Sequence, residues 1–212
     1  MKMLLSSGLL LLTLTGCRRE APPPPATPAP RPHETLPALP PGEASIYDLP
    51  VPLVDHAGRP LRLDQFHGGP VLISMFYTTC PNACPLLISD LKRIERALSD
   101  GARGRLHLLM VSFDPQNDSV DKLRQIVGQH KLDGERWRLA RTPEERVREL
   151  GAVLGIKYRN LNDGSFNHSS VITLLDGEGR IVNRLEGLNQ PAAAMVGQIE
   201  ALAKVVIPET AK

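Results

Sequence analysis

Cysteine is scarce in this chain, with three in 212 residues. A disulfide-laced secreted scaffold is therefore excluded, and because no CxxCH occurs there is no attachment site for a c-type haem. Paired Cys/His knuckles of the kind that build structural zinc modules are also missing. Charge of one sign is nearly absent: the formal net charge is +2, and it falls to +1 if residues 1 to 16, which carry Lys2 and no acid, are removed. No electrostatic case for nucleic acid remains. There is no internal repeat, and the one strong apolar run is too short to read as a membrane span. Methionines 75, 110 and 195 are scattered singly, as core residues are, and do not form a methionine-rich metal site. What remains, 42% apolar and 23% charged with 4% aromatic residues, suits one ordinary globular domain with extensions.

The extensions lie at the N-terminus. Lys2 precedes the run LLSSGLLLLTLTG and then Cys17, a basic region and short apolar region that read as a secretory signal over residues 1–16. Leu14-Thr15-Gly16-Cys17 resembles the lipobox of bacterial lipoproteins, in which the cysteine becomes the lipidated first residue. Residues 17–44 follow as a linker with ten prolines between Pro22 and Pro41, a composition that favours extended polyproline conformations over a core. At ~3.1 Å per residue such a spacer could hold a domain roughly 75 Å from its lipid. The expectation is an extracytoplasmic, periplasmic-side domain anchored to a bacterial membrane through Cys17.

Residues 45–208 alternate strand and helix signals. A hairpin turns at Asp55-His56-Ala57-Gly58, PVLISMFY is a buried strand, and residues 86 to 98 carry Leu87, Leu91, Ile94 and Leu98 at helical spacing. RLHLLMVSFD is the next strand, Asp118 is positioned to cap SVDKLRQIVGQH, and Thr142-Pro143-Glu144-Glu145 reads as a capping box opening a helix through Leu154. SSVITLLD and RIVNRLEG form two strands about Gly177-Glu178-Gly179, and PAAAMVGQIEALAKVV closes as a helix. This order predicts an α/β, thioredoxin-like fold: a mixed central sheet flanked by helices, with an N-terminal β-hairpin extension.

Two of the three cysteines lie in FYTTCPNACP, directly after the first central strand. Cys80 falls in the loop feeding a helix and Cys84 in its first turn, where free N–H groups and the helix dipole favour thiolates, so both sulfurs are expected to be activated. A stabilising clamp would join distant segments, whereas closing this five-residue loop removes only about 2 kcal/mol of unfolded-chain entropy. Either a redox-active pair or a pair of soft metal ligands fits better. Thioredoxin-type catalysts have two residues between their cysteines and a cis-proline opposite them. Here three residues intervene, and the stretch before VITLLD is Asn167-His168-Ser169-Ser170, so an imidazole is expected to face the sulfurs. Two thiolates and one imidazole suit Cu(I), and could hold Cu(II) with a weaker fourth ligand.

FYTTCPNACPLLISDLKRIE, VSFDPQND and NHSSVITLLDGEGRIV, in that order and spacing, resemble the Sco/SenC family of thioredoxin-fold copper proteins over roughly residues 45 to 206. The resemblance implies copper binding by Cys80, Cys84 and His168, and a role in assembling the dinuclear copper centre of respiratory cytochrome c oxidase. It implies as partners that enzyme's copper-centre subunit, a copper donor protein and a thiol reductant. It also implicates Asp114, the first acid of DPxxD, as an accessory to the site; a turn residue beside Pro115 is the alternative. Members often carry aspartate where this chain has Asn82 and Asn167.

Thiol-disulfide reduction of a copper-site client is the second reading, since the same cysteines serve both, and a redox-sensing interaction protein is a third. The other histidines read as structural: His33 in the linker, His56 in the hairpin turn, His67 before two glycines, His107 on a strand, and His130 at a helix end where a cation complements the dipole. Mass spectrometry of the mature protein is expected to find a lipid-modified Cys17 at its N-terminus, and Cys17→Ser is expected to release the protein from membranes. An unmodified Cys17 within an intact leader would refute the lipoprotein expectation.

Overall fold

The computed structural model describes residues 44–161 and 165–205; the signal, Cys17 and most of the proline-rich linker lie outside them. In chain order the elements are β1 (Leu53–Asp55), β2 (Pro60–Leu61), β3 (Val71–Phe76), α1 (Ala83–Arg96), α2 (Asp100–Arg105), β4 (His107–Ser112), α3 (Val120–Gln129), β5 (Trp137–Arg141), α4 (Glu144–Leu154), β6 (Tyr158–Asn160), β7 (Phe166–His168), β8 (Val171–Leu175), β9 (Ile181–Glu186) and α5 (Ala193–Leu202). Seven strands form one sheet in the order β2-β1-β5-β4-β3-β8-β9, and β6 and β7 pair separately. β3, β4 and β5 run parallel, while β8, β9 and the β1–β2 hairpin add antiparallel edges. This is the thioredoxin-like mixed sheet expected from the element order, with the N-terminal hairpin joined to it through β5. Among the described residues no helix is long and apolar enough to cross a membrane.

The central strands explain themselves. Every residue of β3 (VLISMF) and of β8 (VITLL) is buried, as strands covered on both faces must be. The Ser74 hydroxyl of β3 donates to the Val171 carbonyl at 2.6 Å, tying β3 to β8. Helix α1 buries Leu87, Ile88, Leu91 and Ile94 along one stripe. Met75, Met110 and Met195 are all core residues.

Several local expectations need correction. β5 carries no expectation from the sequence, although Trp137 and Leu139 point inward with the half-exposed Arg138 between them. The β6–β7 ribbon is likewise unexpected, yet Asn162-Asp163-Gly164 between its strands is a hairpin signal in the sequence. The capping box at 142–145 does not form: Pro143 is the cap without a side-chain bond, and the Thr142 hydroxyl donates to the Pro52 carbonyl instead. Ser119, not Asp118, caps α3 by accepting from the Lys122 N–H. His130 does close α3 as its C-cap residue, and burial, seconded by Lys92, pushes its pKa down.

The two expected turns share one construction. Asp55 Oδ1 accepts from Ala57 and Arg59 N–H, and Asp176 Oδ1 accepts from Glu178 and Arg180 N–H. In each, a glycine takes the left-handed conformation, Gly58 at φ +80° and Gly179 at φ +79°. Their surroundings differ: a Cβ on Gly58 meets nothing within 4 Å, whereas one on Gly179 falls 2.5 Å from the Tyr47 ring. Gly58→Ala should therefore cost the conformational strain alone, roughly 1–2 kcal/mol. Gly179→Ala should cost about 1–3 kcal/mol more through overpacking. Urea unfolding of the two variants measures the difference, and equal losses would refute the contact with Tyr47.

Candidate metal centre

The centre lies where β3 and β4 end, at the carboxyl edge of the parallel strands. β3 gives way at Phe76 to the loop Tyr77-Thr78-Thr79-Cys80-Pro81-Asn82, and α1 starts at Ala83. The Cys80 N–H closes a turn on the Tyr77 carbonyl at 3.4 Å. Asn82 caps α1 without a side-chain bond, so backbone donors of the first turn stay free for other acceptors. Cys84, the second helical residue, is buried, and Cys80 is half-buried.

His168 reaches the same place from the opposite side. It ends β7 and does not sit in a free loop, pairing across the ribbon with Tyr158. Its ring stands edge-on to Tyr77, with centroids 5.8 Å apart, and tilts against Phe113 at 4.9 Å. Its Nδ1 lies 3.2 Å from the Ser169 carbonyl. That oxygen can only accept, so Nδ1 carries the proton and Nε2 retains a lone pair for a metal. One donor atom from each of Cys80, Cys84 and His168 lies within 4.8 Å of the other two.

The two thiols are not equivalent, contrary to the expectation that both are activated. Burial by itself would push the Cys80 thiol up, but N–H groups of Cys84 and Asn82, the Cys84 thiol and the Tyr77 hydroxyl all donate to its sulfur; together they hold it below the ordinary thiol value. Burial pushes the Cys84 thiol far up, and the nearby Cys80 and Asp118 charges add to the rise. The pair thus offers one half-buried sulfur whose thiol is more acidic than usual and one buried sulfur whose thiol is less so.

Asp114 does not join the three donors. It is buried, and both of its carboxylate oxygens accept from the Asn117 side-chain amide at 3.0 Å, as befits the turn residue that was the alternative for it. Asn82 and Asn167 are exposed and bring no charge. His33 lies outside the described residues, and the other described histidines make their contacts elsewhere. His56 is buried with Nδ1 accepting from the Leu139 N–H at 3.4 Å, His67 contacts the Gly177 carbonyl, and His107 stands edge-on to Phe66. Sequence reasoning missed the aromatic wall of Tyr77, Phe113, Tyr158 and Phe166. Phe113 stacks on Tyr158 at 5.5 Å and meets Phe166 at 5.1 Å, and four of the chain's few aromatic residues are gathered here.

A family model described as SCO1/SenC matches residues 41–204. A Stutzerimonas stutzeri protein described as a proposed copper-binding protein is 24% identical over 138 residues, 61% of this chain; the chain spans 64% of that relative's length. Among solved structures, a SCO1/SenC family lipoprotein from Bacillus anthracis is similar with a TM-score of 0.67 and 17% identity, covering 74% of this chain and 96% of that one. Yeast Sco1 with copper bound is similar with a TM-score of 0.61 and 22% identity, covering 76% of this chain and 90% of that one. The structural likenesses establish a shared fold, and the sequence match runs through both the cysteine loop and His168: the chain belongs to the SCO1/SenC family.

Proposed function

We propose that this protein is a membrane-tethered copper metallochaperone whose cargo is held by Cys80, Cys84 and His168. The observation that carries the reading is the convergence of two sulfurs and one imidazole within 4.8 Å, from segments far apart in the chain. Such a soft, low-coordinate set suits Cu(I) and admits Cu(II) with a weaker fourth ligand. Bound copper would supply a transferable soft cation. The protein's own residues hold His168 Nδ1 against the Ser169 carbonyl, set the Tyr77, Phe113 and Phe166 wall beside the site, and leave Cys80 only half-buried for a partner to reach. The copper bound by yeast Sco1 and the name of the Bacillus anthracis lipoprotein support the cargo and the tether. Delivery to the dinuclear centre of cytochrome c oxidase, with a copper donor and a thiol reductant as further partners, follows from the family resemblance. The tether is Cys17 on the periplasmic side of a bacterial membrane, with residues 17–44 as spacer.

The unequal thiols favour a second activity at the same site, reduction of a client disulfide. The Cys80 thiolate attacks one client sulfur and expels the other as a thiolate. Cys84, on losing its proton, then attacks Cys80 Sγ and releases the client's second thiolate. Two electrons pass to the client, its sulfurs take up two protons, and Cys80 and Cys84 are left as a disulfide. Copper transfer and this step are mutually exclusive at any moment, since a disulfide is a poor ligand.

His168→Ala separates the two readings. Copper affinity should fall by more than the roughly tenfold loss typical of changes around a ligand, while Cys80–Cys84 disulfide formation persists. Unchanged affinity in a copper titration would remove His168 from the site, and oxidised wild-type protein should retain no tight copper. The thiol asymmetry makes its own prediction. A group with a lowered pKa stays ionised to lower pH, so brief iodoacetamide pulses between about pH 5 and 10 should label Cys80 first, with a midpoint below that of an ordinary thiol. Labelling should decline as pH falls through that midpoint, and Cys84 should lag throughout. Peptide mapping that finds Cys84 labelled first would refute the assignment of Cys80 as the attacking sulfur.

A further inference from the structure

Asp118 is fully buried at the end of the loop that follows β4, and its carboxylate has no role in the helix that begins beside it, since Ser119 caps α3. All of its side-chain hydrogen bonds go elsewhere. Thr78 N–H donates to Oδ1 at 3.2 Å and Oδ2 at 3.0 Å, Thr78 Oγ1 donates to Oδ1 at 2.5 Å, and Ser112 Oγ donates to Oδ2 at 2.5 Å. The Asp118 N–H itself donates to the Asp114 carbonyl at 2.9 Å, and the Ser112 hydroxyl accepts from the Asp114 N–H at 2.9 Å, so the carboxylate is held from its own side as well. Asp114, the other acid of the same stretch, is engaged with Asn117.

Thr78 stands two residues before Cys80. Beyond it Thr79, Pro81 and Asn82 are exposed, so Thr78 is the last side chain of the loop before Cys80 that is fixed to the protein interior. We infer that Asp118 is a positioning residue of the metal centre: by gripping Thr78 from the β4 side, it sets where the Cys80 sulfur lies relative to Cys84 and His168. The inference rests on those three residues being the site. A buried carboxylate is costly unless its lone pairs are filled, and here every donor it finds comes from the cysteine loop or the end of β4. A generic surface acid or helix cap would show no such pattern.

Conservative variants test it. Thr78→Val keeps the N–H and the shape but removes the hydroxyl, Thr78→Ser restores the hydroxyl, and Asp118→Asn replaces an accepting oxygen with a donor. Thr142→Val removes a comparable buried hydroxyl bond, to the Pro52 carbonyl, and serves as the stability control. Copper affinity and, in metal-free protein, the dithiol–disulfide equilibrium against glutathione are read beside the thermal midpoint. Thr78→Val and Asp118→Asn should weaken copper binding by about 10–100-fold and move the metal-free disulfide equilibrium constant at least about threefold. Thr78→Ser should restore both, and Thr142→Val should move neither. Should Asp118→Asn fail to fold, the Thr78 pair decides. Unchanged copper affinity and disulfide equilibrium in Thr78→Val would overturn the inference, as would equal changes in Thr142→Val. If the wild type takes up no copper, the metallochaperone reading fails by itself, and the disulfide equilibrium alone then decides whether Asp118 positions the sulfur.

Discussion

The candidate metal centre depends on β3 and β4 ending at the same height. Their parallel register pairs Val71 with His107 and ends with Phe76 opposite Ser112, and the Phe113 N–H extends the ladder to the Phe76 carbonyl at 2.9 Å. Burial enforces that register, since every residue of β3 and all but His107 of β4 are inaccessible to water, and a one-residue slip would turn each strand over. It would also carry the Ser112 hydroxyl away from Asp118, and Asp118 away from Thr78. Two loops that would otherwise be unrelated surface segments are thereby joined through one buried carboxylate, and the cysteines ride on one of them.

From the other side the imidazole arrives on a two-stranded ribbon that is no part of the main sheet. Such a ribbon has little stability of its own, and aromatic packing supplies the rest: Tyr158 stacks on Phe113, and Phe166 stands against Tyr77. Because Phe113 directly follows β4 and Tyr77 directly follows β3, the contacts that seat the ribbon grow from the strand ends that launch the two loops. The same wall stands on one side of the site. Cys80 is only half-buried where Cys84 is buried, and this division makes two chemically identical side chains, four residues apart, differ in acidity.

Much of this was legible in the sequence, where apolar periodicity reports burial directly. β3, α1, β4, β8, β9 and the two Asp-to-Arg turns follow from it. β5 and the β6–β7 ribbon were not, because Arg136, Arg138 and Arg141 interrupt the apolar signal of the buried Trp137, Leu139 and Ala140, and because β6 and β7 are three residues each. Asp118 was misread for a different reason. Asp and Ser are both good helix caps, and adjacent candidates in a sequence cannot be ranked when one of them finds its partner 40 positions away at Thr78. The capping box at 142–145 failed in the same manner, with the Thr142 hydroxyl drawn to Pro52.

The sequence by itself determined the donor chemistry: two cysteines at a helix start, a histidine where a proline is usual, and a strand order that aims them toward one edge of a sheet. These are matters of residue type and local spacing, and local rules suffice for them. Tertiary structure alone decided that the three donors converge within 4.8 Å, that Asp114 stays outside them while Asp118 grips the loop, and that Cys80 and Cys84 differ in acidity. Each of these rests on burial and on hydrogen bonds between segments distant in the chain, and neither exists until the chain has folded.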